Sequence, residues 1–416
     1  MDKFFIVGGN RLVGEVEVDA CKNSILPIMA GSILCGGRVV LKKCPHYIDV
    51  EKMCDILRAL GSVVSWADDK LILDNSNLKQ TYISHELTKD IRASIFTLGA
   101  MIARFGHAQI AYPGGCFIGE RGVDIHLSAL ESFGVNHIER HGYIYAERGV
   151  VKNREIFLKN PSVGATENAI MFACASVGEF WIYNPAKEPE IVDLQNFLNK
   201  MGARIFGAGT NCIHICGVKN FHSVTFSPMP DRIIAGTLLI AGAMTKGDLI
   251  LKNADKKHNE KLCEILSLCG AKIEQKENTL KLSCEKLRGF GRVETGTFPQ
   301  FPTDLQSQLT ALATVANGTS LVKENIFENR FQIVPELKKM GAKIVVENNL
   351  AVVEGGDLSG SDVYATDLRG GVALVLAGLV ANGYTTVHNV FHIDRGYFQL
   401  EKILSKLGAD IKRIKN

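Results

Sequence analysis

The sequence predicts an α/β protein of two domains, each built from three repeated units whose helices are buried and whose sheets lie outside. The chain has 416 residues, more than one hydrophobic core normally supports. Two glycine markers recur with a period of about 70 residues. One precedes a strand, at Gly37, Gly106, Gly178, Gly247, Gly318 and Gly383, and the other closes an amphipathic helix, at Gly61, Gly134, Gly202, Gly270, Gly341 and Gly408. Each unit also contains a helical segment that is apolar on nearly every face, and such a helix must be buried.

In chain order, Phe4–Val18 reads as a short strand that precedes the first unit and can pair with either half. Three units then fill Lys22 to about Pro228, with charged entries at Lys22-Asn23 and Arg92. Within them Ala203–Phe206 alternates as a strand with one wet face. The fourth unit opens at Pro230-Asp231-Arg232, which leads into the apolar Leu238–Met244. Its second helix, Asn259–Cys269, places Leu and Ile at helical spacing with Lys and Glu between them. The fifth enters at Asp304 and carries the alternating strand Ala342–Glu347; the sixth runs from Thr366-Asp367-Leu368-Arg369 into Val372–Ala377. The expected domains are 22–229 and 1–21 with 230–416.

A formal charge of +3 without a long basic run gives no electrostatic footprint for nucleic acid or an anionic membrane. The apolar run Ile233–Met244 falls short of the roughly 18 residues a bilayer span needs, and Met1–Phe4 lacks a signal-peptide pattern. A cytoplasmic protein with no membrane insertion is expected. Eleven cysteines without a framework read as reduced thiols rather than disulfides.

The charges at the helix starts differ in meaning. An aspartate there caps free amides, which is the structural reading of Asp231, Asp304 and Asp367. Lys22 and Arg92 oppose the helix dipole at a cost of about 0.3 to 1 kcal/mol, which points to an anionic ligand. Arg121, Arg330, Arg369 and Arg395 lie in loop-like contexts at matching places in the repeats, and a guanidinium fork holds phosphate or carboxylate. Cys116 sits in the glycine-rich loop Pro113–Arg121; it reads either as a small buried hydrophobe or as a thiol tuned by the neighbouring cation.

Other signals carry less. Cys212-Ile213-His214-Ile215-Cys216 sets three potential ligands on one face of a strand, but no fourth ligand follows at zinc-like spacing and no metal is expected. His388 and His392 share that weakness. No P-loop, dinucleotide-binding glycine motif or serine elbow is present.

These residues belong to a longer series: Lys22-Asn23-Ser24, Arg92-Ala93-Ser94, Pro113–Arg121, Pro161–Thr166, Glu188–Asp193 and Pro230–Ile233. It continues through Phe301–Asp304, Phe327–Arg330, Ala365–Arg369 and His392–Tyr397. Nearly end to end, the sequence resembles the enolpyruvyl transferases, in the branch that carries a cysteine in this loop; the enolpyruvylshikimate phosphate synthases share the sixfold fold without it. The resemblance implies two inside-out α/β barrels, with the N-terminal strand completing the second and the active site in the cleft between them. It implies transfer of the enolpyruvyl group of phosphoenolpyruvate to the 3-hydroxyl of UDP-N-acetylglucosamine, with release of phosphate, as the first committed step of peptidoglycan precursor synthesis. No metal or organic cofactor is implied.

By the same resemblance Cys116 protonates the enol methylene and Asp304 takes the proton of the sugar hydroxyl. Lys22, Arg121 and Arg395 hold the phosphate, while Arg330 and Arg369 hold the carboxylate. Asn23, Arg92, Arg121, Gly122, Val123, Asp124, Ile125, Ser162, Val163, Gly164, Asp304 and Ile326 bind the sugar nucleotide. The resemblance further implies that the epoxide fosfomycin adds to Cys116. Three positions depart from the family pattern: Gly122 replaces a common proline, Asn160-Pro161 a basic residue, and Ile234 a frequent glutamate. The alternative is a catalytically silent paralogue that binds UDP-sugars in a regulatory or scaffold role, against which intact Lys22, Cys116, Asp304 and Arg395 argue.

Overall fold

The computed structural model describes residues 2–114, 119 and 122–415, so Cys116 and Arg121 lie outside the described residues. The chain divides into two compact units, one of residues 2–19 and 230–415, the other of residues 20–114 and 122–229.

The unit of residues 20–229 carries three four-stranded sheets of one design. A strand left over from one repeat pairs in parallel with the first strand of the next, which then pairs with a hairpin. Thus Tyr82–Ile83 lies parallel to His107–Ala111, and Tyr143–Arg148 joins that strand to Val135–Arg140 by antiparallel pairing. Glu155–Phe157, Glu179–Tyr183, Cys212–Cys216 and Arg204–Phe206 repeat the arrangement. The last strand, Val224–Phe226, pairs in parallel with Arg38–Leu41 of the first sheet, so the unit closes on itself. The helices Lys22–Gly31, Thr97–Phe105 and Val163–Cys174 are buried over most of their length, as their all-round apolar surfaces require.

The other unit follows the same plan with a different closure. Val13–Glu17 pairs in parallel with Asp248–Lys252, and Lys3–Val7 lies antiparallel between Tyr384–His388 and Asp410–Ile414. The opening segment is therefore two strands in two sheets, not one. The break falls at Gly8-Gly9, where the amides donate to Gly383 and Leu379 carbonyls and a Cβ on Gly8 would meet the Ala381 oxygen at 2.1 Å. Only glycine lets the chain pass that close. Inside this unit Arg232–Met244, Gln306–Val315 and Leu368–Val380 pack on one another, and every residue of the first is buried. Each fully buried Leu or Ile side chain in these helices contributes about 1.5 to 3 kcal/mol of transfer free energy.

All six closing glycines have φ between 91° and 108°. That left-handed conformation ends the amphipathic helix and turns the chain into its strand, which is why the marker recurs. The ten described cysteines are free thiols. Burial pushes Cys54 and Cys269 up to about 12 and Cys263 to about 11, as suits inert core residues. Among the described residues no helix is long and apolar enough to cross a membrane.

Candidate active site

Phe301-Pro302-Thr303-Asp304 enters its buried helix through the single 3-10 turn Thr303–Leu305. Asp231 and Asp367 cap their helices as expected: Asp231 accepts from the Ile233 and Ile234 amides, Asp367 from those of Arg369 and Gly370. Asp304 instead holds two arginines. Its Oδ1 accepts from Arg330 Nη2 at 2.7 Å and its Oδ2 from Arg369 Nη2 at 2.9 Å. Both arginines are buried, at 5% and 4% exposure.

Burial pushes the Asp304 carboxyl up, but Arg369 and Arg330 outweigh it and hold the group well below the usual carboxylate range. Burial likewise disfavours the Arg369 cation, and Asp304 more than restores it. A second layer holds the guanidinium groups in place. Arg330 Nε donates to Thr303 Oγ1, and the Thr303 hydroxyl donates to Glu324 Oε2. The other Glu324 oxygen accepts the Ile326 and Phe327 amides at 2.7 and 3.1 Å, which shapes the loop carrying Arg330. Arg369 Nη1 reaches the Tyr397 hydroxyl at 3.4 Å, while Thr237 lies 2.8 Å from that hydroxyl and Gln308 donates to the Asp304 carbonyl at 3.1 Å.

Glu324, Thr237, Gln308 and Tyr397 were not singled out from sequence. Thr237 had a readable signal, since a polar side chain inside a nearly all-apolar helix needs a buried partner. Arg395 ends the 3-10 segment Val390–Arg395 and is half-buried. The preceding Asp394 is fixed by Arg413, whose Nη1 and Nη2 donate at 2.9 and 2.6 Å.

In the other unit Lys22 is the first residue of its helix, with Nζ 2.7 Å from Asp49 Oδ2, and both side chains are buried. The unfavourable cation is thus balanced from within, so a ligand is not needed to explain it. Asn23 follows in the same turn. Arg92 starts the 3-10 helix Arg92–Phe96 and donates through Nη2 to the Gly122 carbonyl at 2.9 Å. Val123 is buried just ahead of the helix Asp124–Ser132, which carries Asp124 and Ile125.

Ser162 caps Val163–Cys174 by accepting the Ala165 amide. Gly164 packs so closely on His126 that a Cβ would meet the ring at 2.5 Å, and His126 Nδ1 lies 2.9 Å from Asn168 Nδ2. The segments 122–125 and 162–164 are joined there. Of the departures, Ile234 is buried and its amide serves the Asp231 cap, while Asn160 is exposed.

Asp193 is buried beneath Lys22's helix, where its Oδ2 accepts from the Ser24 hydroxyl and the Met229 amide. Burial raises its pKa to about 6, with Ser24 and Met229 opposing and Glu190 adding to the rise. A folded pKa above the ordinary 3.8 means that Asp193 favours folding most below pH 3.8 and loses that contribution as pH rises through about 6. Ionisation then costs on the order of 3 kcal/mol. Asp193→Asn is expected to raise the unfolding free energy at pH 7 by about 1 to 3 kcal/mol and to change it little at pH 3.5. Urea unfolding at the two pH values checks this, and equal effects at both would refute it.

The pattern of the EPSP synthase (3-phosphoshikimate 1-carboxyvinyltransferase) family matches residues 6–404. The chain is 49% identical over 416 residues to UDP-N-acetylglucosamine 1-carboxyvinyltransferase 2 of Caldanaerobacter subterraneus subsp. tengcongensis, covering 100% of each chain. It is 45% identical over 420 residues to UDP-N-acetylglucosamine 1-carboxyvinyltransferase 1 of Staphylococcus aureus, again covering 100% of each. Among solved structures the fold matches the enolpyruvyl transferase NikO from Streptomyces tendae with a TM-score of 0.87 at 24% identity, over 100% of this chain and 99% of that one. EPSP synthase from Acinetobacter baumannii matches with a TM-score of 0.74 at 16% identity over 100% of both chains.

Proposed function

Because the chain belongs to the family of enolpyruvyl transferases typified by EPSP synthase, we propose that it transfers the enolpyruvyl group of phosphoenolpyruvate to the 3-hydroxyl of UDP-N-acetylglucosamine. Phosphate is released, and the product is a precursor of peptidoglycan made in the cytoplasm. Full-length identity of 49% to a relative of that name carries the choice of acceptor. The acid and two arginines gathered at Asp304 support the chemistry. The names of the full-length relatives lend no support to a catalytically silent paralogue.

The reaction needs a proton delivered to the enol methylene and another removed from the sugar hydroxyl as its oxygen attacks C2. Elimination then expels phosphate and removes a proton from the new methyl group. Cys116 takes the first role and Asp304 the second. Arg330 and Arg369 receive the substrate carboxylate, and Lys22, Arg121 and Arg395 the phosphate. Asn23, Arg92, residues 121–125, Ser162, Val163, Gly164 and Ile326 contact the sugar nucleotide.

Two arginines beside Asp304 make it a weak base. A guanidinium has five N–H donors, so both arginines can keep Asp304 and still take a second carboxylate. The added negative charge raises the Asp304 pKa when the hydroxyl is about to lose its proton. Mixing the protein with phosphoenolpyruvate and UDP-N-acetylglucosamine is expected to release one phosphate per enolpyruvyl ether formed. Release no faster than from phosphoenolpyruvate alone would overturn the reading.

A further inference from the structure

We infer that Glu179, His214 and Cys216 form a surface site for a zinc-like divalent cation. Along the strand Cys212–Cys216, spacing offers two thiols and an imidazole on one face but no fourth ligand. The neighbouring strand supplies a carboxylate. Glu179–Tyr183 pairs antiparallel with Cys212–Cys216 in a register that sets Glu179 opposite Cys216 and Trp181 opposite His214. Ile213 and Ile215 point into the core, while the three ligand-bearing residues share the solvent-facing side. One ligand atom from each lies within 4.8 Å of the others.

His214 Nε2 is 3.1 Å from Glu179 Oε2 and 3.9 Å from Cys216 Sγ. A tetrahedral zinc ion, with bonds of about 2.0 to 2.3 Å, holds an imidazole nitrogen about 3.4 Å from a carboxylate oxygen and about 3.6 Å from a thiolate sulfur. Both distances from the imidazole therefore lie within a few tenths of an ångström of these values, and the carboxylate and thiol, within 4.8 Å of each other, close on the ion by side-chain rotation. Two rings position the imidazole: Trp181 stacks on it with centroids 4.8 Å apart, and Phe206 lies at 6.1 Å on the adjoining strand. Thiolate, imidazole and carboxylate together suit zinc or cobalt rather than magnesium or calcium. Binding releases the Cys216 thiol proton to solvent, and the two anionic ligands neutralise the ion. Three protein ligands leave the fourth position to water.

The test uses Co2+ as a coloured stand-in, added to the full chain carrying Cys116→Ser so that the loop thiol cannot compete. One equivalent is expected to bind with a thiolate-to-cobalt absorption band and to be displaced by Zn2+. Cys216→Ser should abolish the band, His214→Ala should abolish tight binding, and Cys212→Ser should leave both intact. These solvent-facing changes should leave the melting temperature of the metal-free protein unaltered. Absence of the band at stoichiometric cobalt, or its survival in Cys216→Ser, would overturn the site and leave His214 and Glu179 as a surface hydrogen-bonded pair.

Discussion

Replacing Asp304 with asparagine is expected to lower kcat by about 10²- to 10⁴-fold, the range for loss of a general base. KM for phosphoenolpyruvate should stay level or fall. The two observations that predict this are distinct. Asp304 is the carboxylate proposed to receive the hydroxyl proton, and an amide cannot take it. Asp304 also occupies one donor of Arg330 and one of Arg369, so a neutral side chain leaves both cations more available to the substrate carboxylate. Asparagine keeps an acceptor oxygen but loses the charge, and stability should drop by about 1.5 to 3 kcal/mol, the scale of hydrogen bonds to charged groups. Asp304→Ala should show a similar kcat and a larger loss of stability. A folded Asp304→Asn enzyme with kcat within tenfold of the parent would remove Asp304 from the base role.

What could be read in the sequence was whatever repeats or sits next to its own cause. The closing glycines were legible because a left-handed turn after a helix demands the same residue each time, and all six adopt it. The buried helices Arg232–Met244 and Leu368–Val380 were legible because their surfaces are apolar nearly all round, whereas Gln306–Val315 also buries Gln306, Gln308 and Thr310. Caps at Asp231 and Asp367 were local too, since each aspartate bonds amides two and three residues on. Asp304 looked the same in sequence and behaves differently, because its partners lie 26 and 65 residues away, Arg330 on the loop that Glu324 holds and Arg369 on a neighbouring buried helix. Glu324 gave no sign at all: its role is to hold a loop's amides and a threonine hydroxyl, contacts that leave no pattern in a sequence. The same reason hid the partnership of Glu179 with His214, which depends on strand register, and the division of the first 18 residues between two sheets.

Asp49→Ala should produce the other large effect, a loss of about 3 to 5 kcal/mol of stability, as expected when one member of a buried ion pair is removed. Asp49 Oδ2 lies 2.7 Å from Lys22 Nζ, and the two side chains are 4% and 10% exposed. Water therefore cannot stand in for the missing carboxylate, and total stabilities of about 5 to 15 kcal/mol make the loss a large share. Lys22→Met combined with Asp49→Leu should recover most of it in urea unfolding, because both desolvated charges disappear together. Wild-type stability in Asp49→Ala would mean that other groups around Lys22 hold the ammonium. A ligand experiment then separates structure from function. If Lys22 also binds the substrate phosphate, inorganic phosphate restores an anion to the ammonium, and Asp49→Asn should gain more in melting temperature from added phosphate than the parent does. Equal gains would leave Lys22 with its structural pairing and take it out of the phosphate site.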